Sequence, residues 1–156
     1  MHAPVANPAA TLTDEQVTAR HLVEVLNREQ ACLINADIDA LVMVTEEKTT
    51  AIAQMSALAL ARHRSLAVCG HEASELGMLA WVEGAGSTSR GLWNAMLESA
   101  RTAKELNRTN GLLIGTHMVR TQSTLNVLHG SAQGGSFYGP DGQATSRGLG
   151  RGVVVG

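Results

Sequence analysis

From Thr13 onward, apolar residues recur at helical spacing: Val17, Leu22, Val25, Leu26, Leu33 and Ala36, with charged side chains between them. The stripe restarts as Leu41, Val44, Ile52, Met55, Leu58 and Ala59. No proline or glycine interrupts residues 9–69, so nothing in this stretch breaks a helix. Thr13-Asp14-Glu15-Gln16 has the form of a capping box with Thr13 as the cap. Glu24 and Arg28 have the four-residue spacing that favours an intrahelical ion pair. Between the two stripes lies Asn35-Ala36-Asp37-Ile38-Asp39. It reads either as a break, with Asp37 capping a second helix, or as part of one continuous helix.

Gly70 to Gly91 is a connector punctuated by glycines, and its apolar piece, Leu76 to Val82, predicts one or two helical turns that pack Leu79 and Trp81 onto the rest. Ser87-Thr88-Ser89 then caps a third long helix. Its stripe runs Leu92, Met96, Ala100, Ala103, Leu106, Asn110, Ile114, Met118, Thr121, Leu125 and Leu128, always in steps of three or four. One helix over 88–129 extends roughly 60 Å at 1.5 Å per residue and needs partners along its stripe. Gly111 and Gly115 each cost this helix about 1 kcal/mol relative to alanine. Close approach of a neighbouring helix is one reason for them. The competing reading, a short buried strand over 111–115, conflicts with helical periodicity on both flanks. The fold class expected is all-α: an elongated antiparallel helical bundle or coiled coil.

At Gly130 the composition changes, and nine of the last 27 residues are glycine. Such a segment buries too little to offset its ordering entropy alone. Yet it holds Phe137 and Tyr138, the only Phe and Tyr in the chain. The expected organisation is a flexible leader over 1–12, a helical bundle over 13–129 and a flexible Gly-rich tail over 130–156, disordered or folded on a partner. Within the bundle, helices are expected at about 14–35, 38–69 and 88–129, with a short one at about 74–82.

Aromatics make up only 3% of the chain, which a bundle filled by Leu, Ala, Val and Met tolerates. A net charge of −2 with scattered arginines gives no basic face for nucleic acid. No apolar run is long enough to insert in a membrane, and Met1 to Pro8 lacks the pattern of a signal peptide, so a cytoplasmic location is expected. Cys32 and Cys69 are then expected as reduced, buried or half-buried thiols. His71-Glu72-Ala73-Ser74-Glu75 begins like a zinc-protease helix but lacks the second histidine. Gly84 to Gly91 precedes a helix like a phosphate loop but lacks its lysine. Gly148, Gly150 and Gly152 have no helix after them to bind a dinucleotide. The six histidines are dispersed, with His117 close to the apolar stripe. No catalytic, cofactor-binding or metal-binding residue is assigned.

Three segments carry a family resemblance: Trp93-Asn94-Ala95-Met96-Leu97, Asn107-Arg108-Thr109-Asn110-Gly111-Leu112-Leu113-Ile114, and Tyr138-Gly139-Pro140-Asp141-Gly142-Gln143. They resemble the FlgN family of flagellar type III export chaperones, and the resemblance runs through most of the chain in order. It implies a cytoplasmic chaperone for the two hook–filament junction proteins, FlgK and FlgL. Such a chaperone holds a disordered, amphipathic C-terminal segment of its client, prevents premature assembly and aids delivery to the flagellar export apparatus. Neither cofactor nor catalysis is implied. The end of the tail, Leu149 to Val155, departs from the family pattern. Partner-binding residues are expected at Met118, Leu125 and Leu128 on the last helix and at Phe137, Tyr138, Pro140 and Leu149 in the tail. Two rivals remain at this stage. One is a generic helical adaptor or regulatory module with other protein partners. The other is a small helical enzyme, which needs converging polar residues.

Overall fold

The computed structural model describes residues 5–134, with side chains through residue 130. Four helices follow in order: α1 Leu12–Asn35, α2 Ile38–Val68, α3 Glu75–Gly84 and α4 Ser87–Gly134. There is no strand among the described residues, and residues 111–115 are helical. The chain divides into two units, Met1–Gly115 and Thr116–Gly156; the first holds α1, α2, α3 and the larger part of α4.

The start of α1 differs from the capping-box expectation. A turn precedes the helix, with Ala10 N–H donating to Asn7 O at 3.0 Å, and Thr11 rather than Thr13 occupies the cap. The Thr11 hydroxyl donates to Glu15 Oε1 at 2.7 Å, so it serves the acid that follows instead of a backbone N–H. Pro8 and Leu12 are buried, so the last part of the expected leader is packed. At the other end, Ala36 takes a left-handed conformation, φ 54°, and Asp37 N–H closes back on Cys32 O at 3.0 Å. Asp37 then caps α2 by accepting from Ala40 N–H at 3.1 Å. The two helices are therefore separate, and Ala36 is an exposed turn residue, not a stripe residue.

What joins the helices is a heptad seam that includes charge. On α1 the buried residues at heptad spacing are Leu12, Glu15, Ala19, Leu26, Glu29 and Leu33, with Thr18 and Val25 buried beside them. Each buried acid meets a cation of α2: Arg62 Nε lies 3.0 Å from Glu15 and Lys48 Nζ lies 2.8 Å from Glu29. Glu15 to Glu29 and Lys48 to Arg62 both span fourteen residues, two heptads, in opposite chain directions, so α1 and α2 are antiparallel and in register. α4 repeats the interval. Trp93 lies under the Arg62 guanidinium, 4.8 Å from carbon to ring centroid, and Asn107, fourteen residues on, accepts from Lys48 at 3.2 Å. Asn110 donates to Leu26 O at 2.9 Å and to Glu29 at 2.8 Å. α4 therefore runs parallel to α1 and antiparallel to α2, and the three-helix core carries two polar layers separated by apolar ones.

Several side chains lie elsewhere than the sequence pattern suggests. Val17 is 59% exposed because the seam passes through Glu15 and Ala19 instead. Arg28 pairs across the hairpin with Glu47 and not along the helix with Glu24. α3 buries Met78 and Val82 and packs the half-buried Trp81 against the core as expected, whereas Leu79 is exposed. The face is set at Gly77, where an added Cβ would lie 1.8 Å from the Glu72 carbonyl oxygen. This close approach seats the first turn of α3 against the chain before it, with the Ser74 hydroxyl capping Gly77 N–H at 3.1 Å. Cys69 is exposed, contrary to expectation, and its Sγ donates to Ala6 O at 3.3 Å; Cys32 is half-buried, and both thiols are free. A Cβ on Gly111 or Gly115 would meet nothing within 4 Å, so helix approach does not account for these glycines.

Candidate functional site

In the second unit the described residues are the end of α4, Thr116–Gly134. The stripe continues here as Met118, Thr121, Leu125 and Leu128, on one face at steps of three and four. Met118 is 67%, Leu125 44% and Leu128 60% exposed. Val119 and Val127 add exposed apolar surface, and His117 is half-buried. The Thr121 hydroxyl donates to His117 O at 2.9 Å and is thus used within the helix. Residues 116–134 include Arg120, two histidines and no acid. The surface is thus apolar, weakly basic and made of flexible side chains, suited to contact another apolar helix face rather than to chemistry. Met118, Leu125 and Leu128 share this face. Phe137, Tyr138, Pro140 and Leu149 lie outside the described residues.

The first unit contains a second feature, which the apolar pattern of the sequence does not single out. Between α2 and α4, above α1, lie two adjoining hollows of about 250 Å³ and about 290 Å³, with Met55, Ser56 and Ala100 in the walls of both. Small side chains, Ser56, Ala59, Ala100 and Ala103, leave this space open. At one end sits the buried Arg62, bonded to Glu15 and, through Nη2 at 3.0 Å, to the more exposed Glu75, which also meets His63 Nε2 at 3.0 Å. Arg62 Nη1 is buried with no hydrogen-bond partner among the described residues. At the other end stand Asn107 and Lys104. Lys104 makes no ion pair among the described residues. The signal for this cluster was present in the sequence: the α2 stripe of Met55 and Leu58 continues in step through Arg62 to Leu66, which places a cation in an apolar seam.

Among the described residues no group of three or more His, Cys, Asp or Glu side chains could hold a metal ion. No described helix is long and apolar enough to cross a membrane.

Comparison with known proteins gives one result that covers nearly the whole chain. The family model described as FlgN protein matches residues 1–146. No curated protein and no solved structure matches the chain. The matched span takes in all four helices and the Tyr138-Gly139-Pro140-Asp141-Gly142-Gln143 segment. A mainly helical bundle, an exposed apolar stripe on the described end of its longest helix and a family match of this extent lead to one conclusion: the chain belongs to the FlgN family of flagellar export chaperones.

Proposed function

We propose that this chaperone acts in the cytoplasm on FlgK and FlgL, the hook–filament junction proteins. It holds their amphipathic C-terminal segments, keeps them from assembling early and aids their delivery to the flagellar export gate. The observation that supports this reading most is the exposed apolar stripe of α4. A free amphipathic segment lacks a covering face, and Met118, Leu125 and Leu128 offer one. Burying a Leu or Met side chain contributes about 1.5–3 kcal/mol, which for three such residues does not by itself exceed the cost of association, so further apolar contacts are required. The tail residues Phe137, Tyr138, Pro140 and Leu149 complete the site by folding over the bound segment. A segment poor in apolar residues gains its ordering energy from such a partner.

The test is co-purification of FlgK and FlgL from the cytosol of a flagellated cell, with the bound proteins identified. Recovery of both with the full chain is expected. Loss is expected on changing Met118, Leu125 and Leu128 together to serine, and weakening on deleting residues 130–156. Recovery of other partners alone contradicts the client assignment and favours a general helical adaptor. Unchanged recovery after the deletion removes the tail from the site.

A further inference from the structure

The outward face of α2 is left uncovered by the described residues. Val44, Ala51, Arg62 and Leu66 bury one side of this helix. The opposite side carries Val42, Glu46, Ala53, Ala57, Leu60 and Arg64, all exposed and spaced to share one face. A solvated helix face is ordinarily charged. That of α4 is: Glu98 meets Arg101, and Glu105 meets Arg108. On α2, by contrast, residues 49–61 hold no charged side chain, and Val42 and Leu60 stand 56% and 51% exposed. Charge returns only at the two ends of the stripe, as an acid at one and a base at the other. Glu46 and Arg64 are exposed, and neither makes an ion pair among the described residues.

This pattern is complementary to itself. We propose that two copies of the chain pair through the outward faces of their α2 helices, antiparallel, about a two-fold axis at the level of residue 55. Glu46 and Arg64 stand equally far from that level on either side, so Glu46 of each copy meets Arg64 of the other, and the symmetry makes two such pairs. Val42 and Val68 are equidistant from it as well, and so are Ala53 and Ala57. Apolar positions then face apolar ones, and alanines meet where the two helices lie closest. A parallel pair would set Glu46 against Glu46 and Arg64 against Arg64, so the charges select the antiparallel one. Stable interfaces bury about 1,200–2,000 Å². A single helix face with alanine at its centre buries less, so the dimer is weak and forms as concentration rises. The surface belongs to α2 of the first unit, and the inference stands independently of the client reading.

The test is sedimentation equilibrium of the full chain at concentrations up to millimolar, with circular dichroism to check that each variant folds. The wild type is expected to rise in mass from one chain towards two. Glu46→Arg is expected to weaken the dimer by several-fold or more, because symmetry repeats the repulsion twice. Combining Glu46→Arg with Arg64→Glu is expected to restore it, since the exchanged charges again meet in an antiparallel pair. Ala57→Glu, which sets an unpaired charge against Ala53 of the second copy, is expected to abolish it. The triple change of Met118, Leu125 and Leu128 to serine is expected to leave it unaltered. A wild type that stays monomeric throughout overturns the proposal, as does a dimer indifferent to the α2 variants or one lost in the triple serine variant. A double exchange that fails to restore the dimer overturns the antiparallel register. If Ala57→Glu does not fold, the charge exchange decides.

Discussion

One glycine and two ion pairs show how local chemistry holds this bundle. Gly77 has the Glu72 carbonyl oxygen where a Cβ would stand. Gly77→Ala is therefore expected to lower stability by about 1–3 kcal/mol in urea denaturation, because the obstacle is backbone and yields only if α3 shifts. Arg62 and Glu15 form a buried pair. Arg62→Ala leaves Glu15 facing little but the Thr11 hydroxyl, and a loss of about 3–5 kcal/mol is expected. Replacing both partners by methionine is expected to restore most of it, because the uncompensated charge is gone. Glu47 is an exposed case. The hydrogen bond from Arg28 holds its carboxyl below the usual carboxylate range. With the folded value lowered, the pair stabilises the hairpin above the unfolded value and loses that contribution as pH falls through the folded one. An NMR titration is expected to show a depressed Glu47 midpoint that rises in Arg28→Gln; an unmoved midpoint refutes the pairing.

At the scale of elements, the helices were largely legible in sequence because breakers are absent where the bundle forms and Asp37 marks the second start. What the apolar pattern hid were the charged seam positions. Glu15, Glu29, Lys48 and Arg62 complete the heptads, but a stripe counted from apolar residues skips them and drifts to Val17 and Ile52, which are exposed. Only the fold shows that each acid has its cation fourteen residues in register with the next pair. On α3 the pattern places Trp81 on the core but misplaces Leu79, because over ten residues the apolar positions surround the helix and the Gly77 approach chooses among them. Gly111 and Gly115 suggest a close neighbour in sequence, but none of the described residues lies within 4 Å of where their Cβ atoms would stand. With open space at both, changing each to alanine is expected to stabilise α4 by about 1 kcal/mol, read as a raised thermal midpoint. A fall instead indicates that α4 needs flexibility or a close partner at these positions.

At the scale of the whole molecule, the two units differ in what they bury and expose. The first unit is a three-helix core fixed in register by polar layers, and the hollows between α2 and α4 lie on it. The second presents Met118, Leu125 and Leu128 on an uncovered face. The candidate residues on α4 were legible because a stripe that continues into a glycine-rich tail has too little of its own chain to cover it. The hollows were not, because small residues in a stripe look like ordinary core until the space between them is seen. The central claim, that this chaperone holds the C-terminal segments of FlgK and FlgL, is tested most directly by calorimetric titration of the full chain with each isolated segment. The account predicts saturable binding with a negative heat-capacity change from apolar burial, abolished when Met118, Leu125 and Leu128 are changed together to serine. No heat of binding from either segment, or binding that survives the triple change undiminished, contradicts it.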